Sequence, residues 1–280
     1  MIEGGNDPIA LMPMLYVEKT PNDRLLPWVS KLWYCQAPGL THSRERVLPN
    51  GWIQIIVNLH RDSLTDCRED GSACGRMPGA IVVGARTRYE VIDTSDLEEL
   101  VGIIVRPGGF PGLFRERADL FFEQSIPLDS VWRDSWLLER LTEAETPEEK
   151  LCALERSLVG LLGADASRSL LVDQAMYFFG RKHLSVAECA RSAGISERRL
   201  SQVFREEVGI APKMWCRVRR FQAATKALHA GVDVPWPELA LRCGYYDQSH
   251  FANDFRAFSG IDPTTYCASR SRWQNHVPIE

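Results

Sequence analysis

The sequence has no uninterrupted apolar run of the roughly 18 to 20 residues that a membrane-spanning helix needs. Its first ten residues, MIEGGNDPIA, lack the basic-then-apolar order of a secretory signal peptide. A cytoplasmic protein with no membrane partner is therefore expected. Eight cysteines occur, at 35, 67, 74, 152, 189, 216, 243 and 267, without a single C-x-x-C pair. That spacing excludes the short zinc and thioredoxin-like motifs, and reduced thiols are the default. Cys67 and Cys74, which flank the polar loop REDGSA, are the one pair to test for redox chemistry. In the first half only His42 and His60 are at hand, and they are too far apart to suggest the clustered ligands of a metal-dependent barrel enzyme. No metal or other cofactor is expected. The segment Arg106-Pro-Gly-Gly-Phe-Pro-Gly112 has neither G-x-G-x-x-G spacing nor a Gly-Lys-Ser/Thr ending, which argues against a phosphate-cradling loop. It reads as a tight turn into a helix starting near Pro111.

What is present is a chain of 280 residues, long enough for two domains and a connector. The net charge of -4 is unevenly spread: residues 166–280 hold 16 Lys plus Arg against 11 Asp plus Glu, a net of +5, and residues 1–165 carry a net of -9. Only the C-terminal part suits a polyanion. Residues 1–127 contain short β-branched runs (Gly51–Leu59, Ala80–Val83, Tyr89–Ile92 and Leu100–Val105) separated by turn formers. They predict a mainly β barrel or sandwich that could hold a small molecule. Trp28, Trp33, Tyr34 and Trp52 suit either a pocket lining or a core. Residues 128–166 turn helical. Val131, Leu137, Leu138 and Leu141 share one face, and Thr146-Pro-Glu-Glu149 forms a capping box ahead of Leu151, Leu154, Leu158, Leu161 and Leu162. This leucine stripe packs either on its own domain or on a second copy, and a homodimer is the expectation.

From residue 167 onward the pattern is all-helical and partly duplicated. A helix opens at Ser167 and stops at Gly180. Then Ser185–Cys216 is repeated as Pro235–Cys267. Glu188, Ala190 and Gly194 recur fifty residues later as Glu238, Ala240 and Gly244. Phe204, Arg205, Gly209, Ile210, Pro212 and Cys216 recur at fifty-one as Phe255, Arg256, Gly260, Ile261, Pro263 and Cys267. Each copy reads as helix, glycine turn, second helix and Gly-x-x-Pro exit, the pattern of a helix-turn-helix. In unit one Ser196 caps the second helix and Leu200, Val203 and Phe204 form its inner stripe, so Arg198, Ser201, Gln202 and Arg205 fall on the surface. In unit two Asp247 is the cap and Phe251 and Phe255 point inward, leaving Gln248, Ser249, His250 and Asn253 outside. Arg, Ser, Gln and Asn can bond base edges and phosphates. Between the units, Pro212 to Ala230 predicts a linking helix about 28 Å long, close to the ~34 Å between successive major-groove faces. Its cluster Arg217, Arg219 and Arg220 either contacts phosphate or is simply solvated.

The segment Ala240-Leu-Arg-Cys-Gly-Tyr-Tyr-Asp-Gln-Ser-His-Phe-Ala-Asn-Asp-Phe-Arg-Ala-Phe-Ser-Gly-Ile-Asp-Pro263 resembles the signature of the AraC/XylS family of bacterial transcription regulators. The resemblance covers about residues 167–270, although Arg219 stands where an apolar residue is usual. It implies that the second helix of each unit enters the major groove of double-stranded DNA, with Arg198, Ser201 and Gln202 facing one groove segment and Gln248, Ser249, His250 and Asn253 the next. Arg205 and Arg220 join the set as further DNA contacts. Leu48-Pro-Asn-Gly51 and Gly102–Gly109 resemble, less specifically, a cupin-like sensor domain. The expected architecture is thus a β-rich domain (1–127), a helical connector (128–166) and a double helix-turn-helix domain (167–280). The expected role is sequence-specific regulation of transcription, with a small-molecule effector, a homodimer partner and RNA polymerase as partners such a role admits. The competing classes are a metal-dependent barrel enzyme and a DNA-repair alkyl transferase with a similar DNA-binding module. The second would need a reactive Pro-Cys-His type nucleophile, which the sequence lacks.

Overall fold

A computed structural model of the chain describes residues 14–163, 166–182, 184–232 and 234–279. Among the described residues the first half carries ten strands: β1 (Leu15–Lys19), β2 (Val29–Gln36), β3 (Arg44–Val47), β4 (Gln54–Asn58), β5 (Ser63–Cys67), β6 (Ala73–Pro78), β7 (Ala80–Val83), β8 (Glu90–Asp93), β9 (Leu100–Val105) and β10 (Ser125–Pro127). Six form an antiparallel sheet in the order β1-β2-β9-β4-β7-β10, and β5 and β6 form a separate hairpin.

The period-two alternation of β-branched residues gives the six-stranded sheet two apolar faces. Ile55 pairs with Ile103 and Val82, and Val57 with Val101; these side chains point to a core that also holds the helices. Ile56, Ile81 and Val83 point the other way, toward the β5/β6 hairpin. Gly102 sits opposite Trp33, whose ring would lie 2.2 Å from an added Cβ, so no side chain fits there. Trp28, Trp33 and Tyr34 are buried core residues, while Trp52 is partly exposed.

The helices are α1 (Phe110–Phe114), α2 (Leu137–Glu143), α3 (Pro147–Leu161), α4 (Leu170–Tyr177), α5 (Val186–Ser192), α6 (Glu197–Val208), α7 (Pro212–His229), α8 (Trp236–Arg242), α9 (Gln248–Ser259) and α10 (Pro263–Ser269). The capping box at Thr146 and Glu149 forms as the sequence suggests. Leu151, Leu154 and Leu158 of α3 are buried against the chain's own sheet, so this stripe is not left over for a second copy. Two side chains depart from the expected stripes. Leu138 is 53 % exposed because α2 presents only Leu137 and Leu141 to the core, and Leu170 is 78 % exposed because α4 begins only there, capped by Ser169 rather than Ser167. Gly180 does not stop this helix, which continues as a π-helical turn over Phe178–Lys182.

After α10 the chain returns to the first half. Strand β11 (His276–Ile279) pairs antiparallel with β3, which pairs with β8, so the last strand of the chain completes a sheet begun more than 200 residues earlier. The cores are shared likewise: one runs from the large sheet through α3 into unit one, and another joins Leu48 and Val277 to unit two.

Cys67 stands opposite Ala73 at an irregularity of the β5/β6 hairpin. Burial raises the pKa of the Cys67 thiol, and a hydrogen bond to Asp66 raises that of Cys74. Both shifts oppose the thiolate character a redox sensor needs.

Candidate nucleic-acid interface

In unit one the Ser185 hydroxyl accepts from the Glu188 N–H, and the Glu188 carboxylate accepts from the Ser185 N–H at 2.8 Å, closing the capping box of α5. Gly194, at φ +67°, makes the left-handed turn that a residue with a Cβ adopts only at a cost. The Ser196 hydroxyl then accepts from the Arg199 N–H to start α6. Leu200, Phe204 and Val208 are buried, which fixes the rotation of α6 about its axis. Arg198, Arg199, Gln202 and Arg205 are exposed and Ser201 is half-buried on the same side. The Gln202 amide donates to the Glu206 carboxylate at 3.0 Å, and Glu206 in turn lies 3.5 Å from Arg117 of the first half.

Unit two repeats the scaffold with other means. Pro235 offers no capping side chain; Trp236 instead stacks on Phe251 at 6.1 Å between ring centroids. Asp247 accepts from the His250 N–H at 2.7 Å and starts α9. Gln248, Ser249 and Asn253 are exposed; His250 is half-buried, edge-on to the Tyr245 ring and 3.7 Å from Asp254. Asp254 itself is buried and accepts from Arg217 at 2.7 Å, tying α9 to α7 by a charge-assisted bond.

The three arginines of the α7 basic cluster have different surroundings. Arg217 is committed to Asp254. Arg220 is half-buried, lies 5.5 Å from the Tyr245 ring centroid and packs against Gly244, bracing the turn of unit two rather than standing free toward a phosphate. Arg219 is the exposed member, over the Trp215 ring. Two exposed residues of this surface had no sequence signal: Arg199, hidden by its neighbour Arg198, and Tyr246, which is 86 % exposed in the turn before the α9 cap, where no periodicity applies.

Helices α6 and α9 both meet the first half near their C-terminal ends. Gly209 and Gly260, the equivalent left-handed residues that end α6 and α9, are among the contact points. Gly209 packs against Ala85 and Ala118, Gly260 lies under the Tyr89 ring, and the Tyr89 N–H donates to the Phe258 carbonyl at 2.9 Å. The N-terminal turns carrying the polar residues are left open. Helix α7 has 18 residues, about 27 Å at 1.5 Å each, and sets the two units apart.

Residues 189–269 match a family model described as a helix-turn-helix domain, and residues 17–127 match one described as a domain of unknown function, DUF6597. The chain is 30% identical over 97 residues to the "HTH-type transcriptional activator AarP" of Providencia stuartii, covering 35% of this chain and 71% of that protein. The chain belongs to the AraC family of transcription regulators. It is also 30% identical over 117 residues to the "Probable transcriptional regulator LumQ" of Photobacterium leiognathi, covering 41% of this chain and 47% of LumQ. It thus spans about half the length of that relative. Among solved structures, the C-terminal domain of AraT, a response regulator from Geobacillus stearothermophilus, aligns at 26% identity over 38% of this chain and 91% of that one, with a TM-score of 0.34. Residues 189–269 carry the helix-turn-helix domain, and the β-rich half precedes it. The two histidines of the first half each lie against a carboxylate: His42 is 2.6 Å from Glu45, and His60 is 2.6 Å from Glu98.

Proposed function

We propose that this AraC-family chain is a sequence-specific regulator of transcription that reads two adjacent major-groove segments of double-stranded DNA, one with α6 and one with α9. The observation that carries this reading is the pair of capped helices whose buried stripes are duplicated and whose outward residues are not. Unit one offers Arg198, Ser201, Gln202 and Arg205; unit two offers Gln248, Ser249, His250 and Asn253. One chain then reads an asymmetric site. Tyr246 and Arg199 extend the same surface toward the backbone, where exposed aromatic and guanidinium groups position a protein on the duplex. Arg220 contributes by holding the unit-two turn in place.

The first half, residues 1–127, together with the connector 128–166, is the controlling part in this reading, acting on residues 167–280 through an effector or through a second copy. The similarity to AarP, a transcriptional activator, and LumQ, a probable transcriptional regulator, supports transcription as the process. Contact with RNA polymerase belongs to the same reading.

Selection of bound sites from random duplexes by the full-length chain tests it. A motif spanning two groove segments is expected. Gln202→Ala and Gln248→Ala are then expected to weaken binding to the selected site by up to about 1–3 kcal/mol while binding to random DNA persists. Enrichment of no motif, or equal losses on both kinds of DNA, would overturn base reading by these residues.

A further inference from the structure

The face of the large sheet turned away from the helices is only partly covered. Between it, the β5/β6 hairpin and β8 lies a cavity of about 390 Å³, within the range of small-molecule sites. Its floor is apolar, formed by Ile56, Leu64, Ile81, Val83 and Leu100. Its polar rim is one-sided: Asp66, Glu90, Asp93, Asp96 and Glu123 stand against the single guanidinium of Arg86.

These carboxylates are only partly used by the protein. Asp93 is satisfied by Arg44 and the Ser95 N–H. Asp96, 6 % exposed, accepts from the Thr65 N–H through Oδ2; Glu123 accepts from Thr87 through Oε1; Glu90 pairs with Arg86 through Oε2 at 2.9 Å. Among the described residues Asp96 Oδ1, Glu123 Oε2 and both oxygens of Glu90 have no hydrogen bond, Glu90 meeting Arg86 as an ion pair only, and Asp96 lines the cavity with nearly all of its surface covered. Burial raises the pKa of the Glu90 carboxyl, and Glu123 and Asp66 push it the same way against Arg86 and His276. The site has negative charge in excess of its own cations, above an apolar floor. An anion would meet five carboxylates, and a neutral polar molecule would leave that charge uncompensated.

The wall of the cavity is also the part that touches both recognition helices. Arg86 and Glu90 belong to the run from Gly84 to Glu90 that joins β7 to β8. In the same run Ala85 supports Gly209 at the end of α6, and Tyr89 covers Gly260 at the end of α9. Glu123, whose φ of +58° is unusual for a residue with a side chain, clamps this run: its carboxylate accepts from Thr87, and its N–H donates to the Ala85 carbonyl.

We propose that this cavity binds a small organic cation with an apolar body, an ammonium or amidinium type, and that its occupancy alters DNA binding through the segment 84–90. The coupling rests on the regulatory reading above; the binding does not. An occupant that bonds Glu90 pulls on a segment whose two ends hold the two helices, and reciprocity requires DNA to change the cation's affinity by the same factor.

The test uses three probes of one shape on the full chain: 2-phenylethylammonium, 2-phenylethanol and 3-phenylpropionate. Calorimetry without DNA should show saturable binding of the ammonium ion, at least about tenfold tighter than the alcohol or the carboxylate. Glu90→Gln and the more exposed Asp66→Asn should each weaken ammonium binding, with alcohol binding unchanged. The ammonium ion should also shift affinity for the selected DNA site, and Tyr89→Ala should reduce that shift without reducing ammonium binding. No ammonium binding at millimolar concentration, tighter binding of the carboxylate, or indifference to both variants would overturn the cation site. Ammonium binding with unchanged DNA affinity would overturn the coupling. Failure to select any DNA motif would overturn the regulatory reading while leaving the calorimetric result standing.

Discussion

The imidazole of His276 donates through Nδ1 to the carboxylate of Glu45 at 2.7 Å, across 231 residues of sequence. Glu45 is 4 % exposed, and its other oxygen lies 2.6 Å from His42 Nε2. The last strand of the chain is thus tied to β3 twice, by its backbone ladder and by a buried carboxylate.

Replacing His276 with alanine should loosen this strand before anything else. A hydrogen bond to a buried charge contributes about 1.5–3 kcal/mol, and the third of His276 still in water reduces the expectation to about 1–2 kcal/mol. Urea denaturation reads the loss. Hydrogen exchange should show faster amides in Arg44–Val47 and His276–Ile279, with Leu100–Val105 unchanged; equal acceleration everywhere would contradict a local tie.

The same cluster fixes a pH dependence. Burial tends to raise the Glu45 carboxyl, but the hydrogen bonds and charges of His276 and His42 outweigh it and hold the group below the ordinary glutamate value. A depressed folded pKa contributes stability that is complete above the unfolded value, about 4.3, and is lost as the pH falls through the folded value. Glu45→Gln should therefore be less stable than wild type at about pH 6 and converge with it below about pH 4. Denaturation midpoints across that range provide the check, and a gap that widens toward acid would reverse the sign.

The scaffold of the C-terminal half was legible in the sequence because it depends on local signals. Ser185 with Glu188, Gly194, Ser196 and Asp247 are caps and turns whose partners lie within a few residues, and the structure places all of them as read. The central strands Ala80–Val83 and Leu100–Val105 were legible because both of their faces are apolar. β3 (Arg44–Val47) and β6 (Ala73–Pro78) were not: their residues are polar or small, and pairing alone defines them. β11 was hidden by its shortness, four residues including a proline, and its partner β3 lies more than 200 residues away. The cavity had no sequence signal either, because its carboxylates come from three separate stretches of the chain.

Gly260 joins that long-range architecture to α9. A Cβ there would lie 2.4 Å from Tyr89 Cε1, on a backbone at φ +74°. Gly194, at φ +67°, has open space where its Cβ would be. Gly194→Ala should carry only the left-handed penalty, about 1–2 kcal/mol, and Gly260→Ala should cost more. The excess should shrink when Gly260→Ala is combined with Tyr89→Ala, and a double-mutant cycle by thermal denaturation measures it. Additive losses would mean that the ring is not what Gly260 makes room for.

The two glutamines of the proposed reading surface should not weigh equally. The Gln202 amide is engaged by Glu206 at 3.0 Å, whereas Gln248 is exposed with no such partner among the described residues. Turning Gln202 to a base gives up a bond worth about 1 kcal/mol, and it leaves the Glu206 carboxylate without that partner. Gln248→Ala should therefore lose more affinity for the selected site than Gln202→Ala. Glu206→Ala should do the reverse and tighten binding, since it frees Gln202 and removes a negative charge from the DNA side. Arg117, now without Glu206, keeps its bond to Asp119 at 2.7 Å, so stability should change little. Titration of the labelled site at fixed salt compares all three variants. Weaker binding by Glu206→Ala would show that Glu206 positions Gln202 for DNA rather than restraining it.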